Sequence, residues 1–291
     1  APGAPGGDIG AGEAHAAGDP DGVRWRHAAL EQTVAGVLRE RTTTFIPRSS
    51  LKEVKTAKGN YFTFSDQAPR AEGGEPVQPR LRKPLSEIDA DGAQLAPRGV
   101  VWLGGAYEDI PGFTPLVRRA GVLGMAPETT ASAAARQTDH WQPGALLSLR
   151  TVDRVGSLLI GTQEAHLFLT AGQYRAASGA ERLYSEVTAD VYYSAEPDVA
   201  APEIQAVQVA SAGGMLDVGV SAVDPPGGAG IARMVVTYTT GGGSWDSVEL
   251  ARDGRGTWIG RVPAGVEAVV QAVDGAGNVA VDDDGGRYYR W

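Results

Sequence analysis

The sequence predicts a mainly β protein: a seven-stranded sandwich over residues 203–291, preceded by a mostly β region that carries one amphipathic helix near its start. Three observations predict this. Seven β-prone runs, at roughly 203–210, 215–223, 231–239, 245–250, 256–262, 266–273 and 278–290, are separated by turn residues at the spacing of a sandwich. Strict apolar/polar alternation marks half-buried strands, as in Leu216, Val218, Val220 and Ala222 against Asp217, Gly219 and Ser221. Between Trp25 and Arg41, by contrast, Leu30, Val34, Val37 and Leu38 fall at i, i+4, i+7 and i+8, which is helical periodicity.

From the N-terminus, residues 1–22 form a Gly/Ala/Pro-rich tail whose only sizeable apolar side chain is Ile9, too little to offset the entropy of ordering. Its opening, Ala1 to Gly7, has the composition of a mature terminus after cleavage or of a linker cut from a longer polypeptide. The segment 23–98 contains the expected helix, then short strands at Thr42–Ile46 and Tyr61–Phe64, then a long polar loop over 66–98. Residues 99–194 read as a mostly β domain with strands at 100–103, 145–152, 158–170 and 182–193. Pro115 and two glycines argue against a long helix over Phe113–Met125. Pro197 and Pro202 bracket a stiff linker, 195–202.

The chain's 291 residues suit two domains of ordinary size, and 42% hydrophobic with 21% charged residues is the composition of a folded protein. A formal net charge of -9 argues against a general nucleic-acid binder, and the densest basic run, Arg80 to Lys83, reads as a solvated loop. With no cysteine there is no disulfide, thiolate metal site or cysteine nucleophile. No run reaches the roughly 18 apolar residues of a membrane-spanning helix.

The order of features in the last third resembles the Ig-like and fibronectin type III-like modules of bacterial secreted and surface proteins. The likeness is carried by Pro202-Glu203-Ile204, Asp224, Gly230-Ile231 leading to Val235, Val236 and Tyr238, then Trp245, Trp258, and the phrase Gln271 to Ala280 with its Asp-x-x-Gly-Asn turn. It covers about 90 residues (203–291). The resemblance implies a spacer, an adhesive unit or a non-catalytic companion of a secreted hydrolase, and an extracellular or cell-surface location.

Asp274, Gly277 and Asn278 have a physical account of their own, since the carboxylate accepts backbone hydrogen bonds and the other two tolerate left-handed backbone. If the strand order is that of the sandwich, Asp224 and Asp274 lie at the same end, where a calcium ion or a partner would fit. Asp282 and Asp284 in Asp282-Asp283-Asp284-Gly285-Gly286 are a second acidic candidate for calcium, against a plain hairpin turn. Of His15, His27, His140 and His166, only His166 has an acidic neighbour on its own strand face, Glu164, and this pair is the candidate for a transition metal. Trp245 and Trp258 are candidates for a sugar-stacking platform, against a place in the core. No nucleophile elbow, phosphate loop, dinucleotide fingerprint or zinc helix occurs, so no catalytic residue is nominated.

The reading that follows is a non-catalytic extracellular structural or adhesive protein, such as a subunit of a surface assembly, with other protein chains, copies of itself or cell-surface glycan as partners. The alternative is a substrate- or wall-targeting accessory region of a large secreted hydrolase.

Overall fold

The computed structural model describes residues 13–14, 20, 22–34, 36–64, 74–117, 139–153 and 163–291. Most of the tail 1–22, most of the segment 113–125, and His15 lie outside them. Among the described residues the only helical element is the single turn Arg48–Ser50, and no helix is long and apolar enough to cross a membrane. The protein is mainly β, built from several sheets.

The largest sheet runs, in hydrogen-bonded order, through Glu13–Ala14, Arg24–His27, Val37–Phe45, Ala180–Ser194, Ala93–Pro111, Ser244–Glu249, Ile231–Thr239, Glu267–Asp274 and Val279–Asp282. Every pairing is antiparallel. A four-stranded sheet, Glu203–Ala212, Met215–Val223, Trp258–Pro263 and Ala251–Arg252, faces its C-terminal end. Leu216, Val218 and Val220 from the small sheet and Met234, Val236, Ala268, Val270 and Ala272 from the large one share a core. A third sheet, Leu147–Asp153, Gln163–Thr170 and Arg80–Leu85, packs on the N-terminal half.

The expected helix over 25–41 is replaced by Arg24–His27, Glu31–Val34 and Val37–Phe45. Its stripe splits: Leu30 is 43% exposed in a connection, whereas Val37 is buried. Alternation wins locally, because Trp25 points into the core between exposed Arg24 and Arg26, and the β-branched run Thr42 to Thr44 follows. Gly36, at φ +79°, turns the chain between the second and third strands.

The polar loop expected over 66–98 contains the strands Arg80–Leu85 and Ile88–Ala90 and the start of Ala93–Pro111. Charge disguised the first. Leu81 and Leu85 face inward, and Lys83 between them lays its ammonium 4.7 Å from the Trp25 ring centre instead of leaving the strand unpatterned.

Six of the seven runs each hold a strand, while the run 278–290 divides into Val279–Asp282 and Tyr289–Arg290 around a turn, and these strands do not bury a single face. Glu267–Asp274 directs Ala268, Val270 and Ala272 into the core with the small sheet, and Val269 and Val273 into two clusters shared with the N-terminal half. Buried on both sides, it reads as a continuous apolar run. Gly104 and Gly105 permit the junction. At φ +141° and +145° they let Ala93–Pro111 press against its two neighbours, since a Cβ at Gly104 would lie 2.3 Å from the Trp245 carbonyl oxygen and one at Gly105 2.0 Å from that of Glu186.

Polar bolts complete the seam. Asp190, fully buried, accepts from Arg41 at 2.8 and 3.2 Å and from Arg233 at 2.8 Å. Arg182 stacks 3.9 Å from the Tyr107 ring centre and 4.1 Å from that of Trp141 while donating two bonds to Asp109. The Asp190 carboxylate is held by these paired donors, and Arg182 by Asp109, its aromatic neighbours and Glu267 at 3.6 Å.

Candidate functional site

Three aspartates converge where the linker meets the loops of the last third. Asp274 closes the strand Glu267–Asp274. Its Oδ1 accepts from the amides of Ala276 and Asn278 at 2.9 Å each, and its Oδ2 from Asn278 Nδ2 at 2.8 Å. Gly277 sits at φ +86° against Tyr192, where a Cβ would come within 2.9 Å. The turn therefore has the capping geometry that its sequence implies.

Asp224 follows the strand Met215–Val223, and its Oδ2 accepts from the Gly230 amide. Its Oδ1 is sealed from solvent without a hydrogen-bond partner. Asp198, from the linker, accepts from the amides of Ala200 and Ala229 at 3.0 Å, and its carbonyl receives Asn278 Nδ2 at 3.2 Å. One carboxylate oxygen from each of Asp198, Asp224 and Asp274 lies within 4.8 Å of the others. Burial raises the Asp274 carboxyl above its ordinary range, and Asp224 pushes the same way, against the lowering effect of the turn's hydrogen bonds. Each of the three thus offers one carboxylate oxygen to a common space, as a metal site requires, without an ion-pair partner among the described residues.

Sequence reasoning placed Asp224 and Asp274 at one end of the fold, and the structure brings them together. It missed Asp198. The signal was an acid in the linker five residues before Glu203, which opens the first strand of the last third, but only the chain path shows that it reaches the loops.

The other candidates do not assemble. Asp282 accepts from Tyr289 Oη at 2.7 Å and from the Asp284 amide at 3.2 Å, and Asp284 holds Arg287 at 3.0 Å. Both bond within their own turn region, and neither belongs to the three-aspartate group. His166 is buried with its ring nitrogens engaged by Arg82 at 2.9 and 2.8 Å, and Glu164 lies 3.1 Å from Nε2. Among the described residues no third ligand joins this pair, so it is an electrostatic contact with no zinc geometry.

Trp245 and Trp258, weighed as a sugar platform against a place in the core, are 2% and 8% exposed. They belong to two different cores: Trp245 packs 4.5 Å from Trp102 and edge-on to Tyr288, and Trp258 sits between the sheets of the last third. Large rings on inward positions are consumed by packing.

No family model and no curated protein matches the chain. Among solved structures, the complex of the pro- and mature domains of RgpB from Porphyromonas gingivalis is similar over 59% of this chain and 84% of that one, at 16% identity and a TM-score of 0.40. A structure addressing the zymogenic latency of gingipain K, from the same organism, is similar over 63% of this chain and 99% of that one, at 14% identity and a TM-score of 0.39.

Proposed function

We propose that the chain is a non-catalytic extracellular structural or adhesive module whose last third is an Ig-like or fibronectin type III-like sandwich. The observation that carries this reading is the shared sheet: Ser244 and Trp245 pair with Ala106 and Gly105, so hydrogen bonding passes without interruption from the N-terminal strands into the last third. Two halves joined by a ladder, a common apolar cluster and buried ion pairs transmit force and hold orientation, which suits a scaffold. The pairing order supports the sandwich, with Glu203–Ala212, Met215–Val223 and Trp258–Pro263 on one side and Ser244–Glu249, Ile231–Thr239, Glu267–Asp274 and Val279–Asp282 on the other. Sedimentation of the purified chain at rising concentration, with and without calcium, tests the self-assembling form of this role. Association is expected, and a strict monomer throughout would discard it.

A second element of the proposal is a calcium ion held by Asp198, Asp224 and Asp274. The sealed, unpartnered Oδ1 of Asp224 favours it, because a buried carboxylate oxygen left without a donor is costly unless a cation meets it. Three carboxylates with backbone or water ligands match the weak sites of extracellular modules, with dissociation constants of about 0.1–1 mM. Calcium at several times that concentration is expected to raise the melting temperature of the wild type by a few degrees relative to chelator, about 1 kcal/mol of linkage. Asp224→Asn should abolish the increment, and an unchanged wild-type melting curve in millimolar calcium removes the ion from the proposal.

A further inference from the structure

A cleft of about 220 Å³ opens at the seam, walled by residues from both halves of the chain. Its apolar lining is Val100, Trp102, Leu146, Leu147, Val269 and Val281. Val281, at its rim, is 56% exposed, an unusual position for a large aliphatic side chain beside a concavity. Three polar side chains also line it, and two are occupied. Gln271 accepts from the Trp102 amide at 2.7 Å and donates to the Trp102 carbonyl at 2.7 Å and to Thr237 at 3.0 Å. Tyr288 Oη accepts from Gln173 at 2.8 Å and donates to the Gly144 carbonyl at 3.3 Å.

The third is different. Asp283 Oδ1 accepts from the Gly286 amide at 2.9 Å, which holds the carboxylate in place, while among the described residues nothing donates to Oδ2 and no lysine or arginine pairs with it. Gly144 keeps the approach open, since a Cβ there would lie 3.3 Å from that oxygen. The cleft thus combines apolar walls, satisfied internal polar groups and one fixed negative acceptor, the pattern of a ligand site whose orientation is set by a single charged contact.

We propose that this cleft binds a small organic cation with an apolar body, an arylalkyl- or alkylammonium whose nitrogen donates to Asp283 Oδ2 while its body packs on Trp102, Val269 and Val281. The size agrees: a cavity of roughly 150 Å³ accepts one benzene ring, so this one takes a ring with a short amine-bearing chain. An anion of the same shape would meet Asp283 with like charge, and an uncharged isostere would forgo the charge-assisted bond.

Titration of the full chain with phenethylammonium, followed by calorimetry or by methyl NMR of the valines, tests the assignment. Saturable binding is expected, with affinity about tenfold weaker for 2-phenylethanol and none for 3-phenylpropionate, the size of effect given by one charge-assisted hydrogen bond. Asp283→Asn, whose amide oxygen still accepts from Gly286, should lower the ammonium affinity about tenfold and leave the alcohol unaffected. Val281→Ser, an exposed change that leaves the charge intact, should weaken both ligands alike. Absence of saturable binding by wild type up to about 10 mM, equal affinity for alcohol and ammonium, or unaltered affinity in both variants overturns the proposal.

Discussion

Single residues in this fold carry charge where solvent does not reach. Glu181 is 1% exposed, and burial pushes its carboxyl well above the usual range, with one opposing bond from Gln78 Nε2 at 3.1 Å. A carboxyl raised in the folded state gives stability that is complete below its unfolded pKa of about 4.3 and is lost as pH climbs through the folded value. Denaturant melts of wild type should therefore weaken from pH 4.5 upward, while Glu181→Gln should show a flatter dependence. Superimposable pH profiles for the two proteins would refute this. Asp274 acts in the same direction by burial, and a bound cation would reverse its contribution by favouring the carboxylate.

At the scale of elements, the long strand Ala93–Pro111 decides the architecture, and its two glycines decide the strand. Gly105→Ala would put a methyl 2.0 Å from the Glu186 carbonyl oxygen on a backbone at φ +145°, so a loss of at least about 2 kcal/mol is expected from clash and strain together. Gly254→Ala, with nothing within 4 Å of its Cβ, is the control that should cost almost nothing. Equal melting temperatures for the two variants would show that the notch is not needed.

The same scale explains what the sequence revealed. Strands with clean alternation, such as Met215–Val223 and Ala180–Ser194, and the turn at Asp274 to Asn278 were legible because their information is local. Arg80–Leu85 was hidden by its charges, and the stripe from Leu30 to Leu38 imitated a helix with only four residues. Asp198 was illegible because membership of the cluster depends on the path of the linker. Trp245 and Trp258 gave no sign of which side they face, since aromatic content alone does not distinguish a platform from a core.

For the whole molecule, the last third is not self-sufficient. Val235, Trp245, Val269 and Val273 of its larger sheet are buried against Val101, Leu103, Trp102 and Tyr192 from the other half. Produced alone, residues 203–291 would expose this face, so the fragment is expected to aggregate or dimerise and to melt well below the full chain. A monomeric fragment with an unchanged melting temperature would mean that the seam adds no stability. The cleft and the three-aspartate group flank that same seam, so both proposals should be tested on the full chain.

The pairing of Gly105 with Trp245 also sets an order in time. The central strand leaves the ribosome before either long partner; Ala180–Ser194 covers one edge first, and the other stays open until Trp245 follows roughly 140 residues after Gly105, about ten seconds at ordinary elongation rates. During that interval the exposed edge is a template for wrong partners. Closure over so long a loop belongs to the slow end of β-sheet formation, so the last ninety residues act, before any mature role, as the step that ends the vulnerability of the first two hundred.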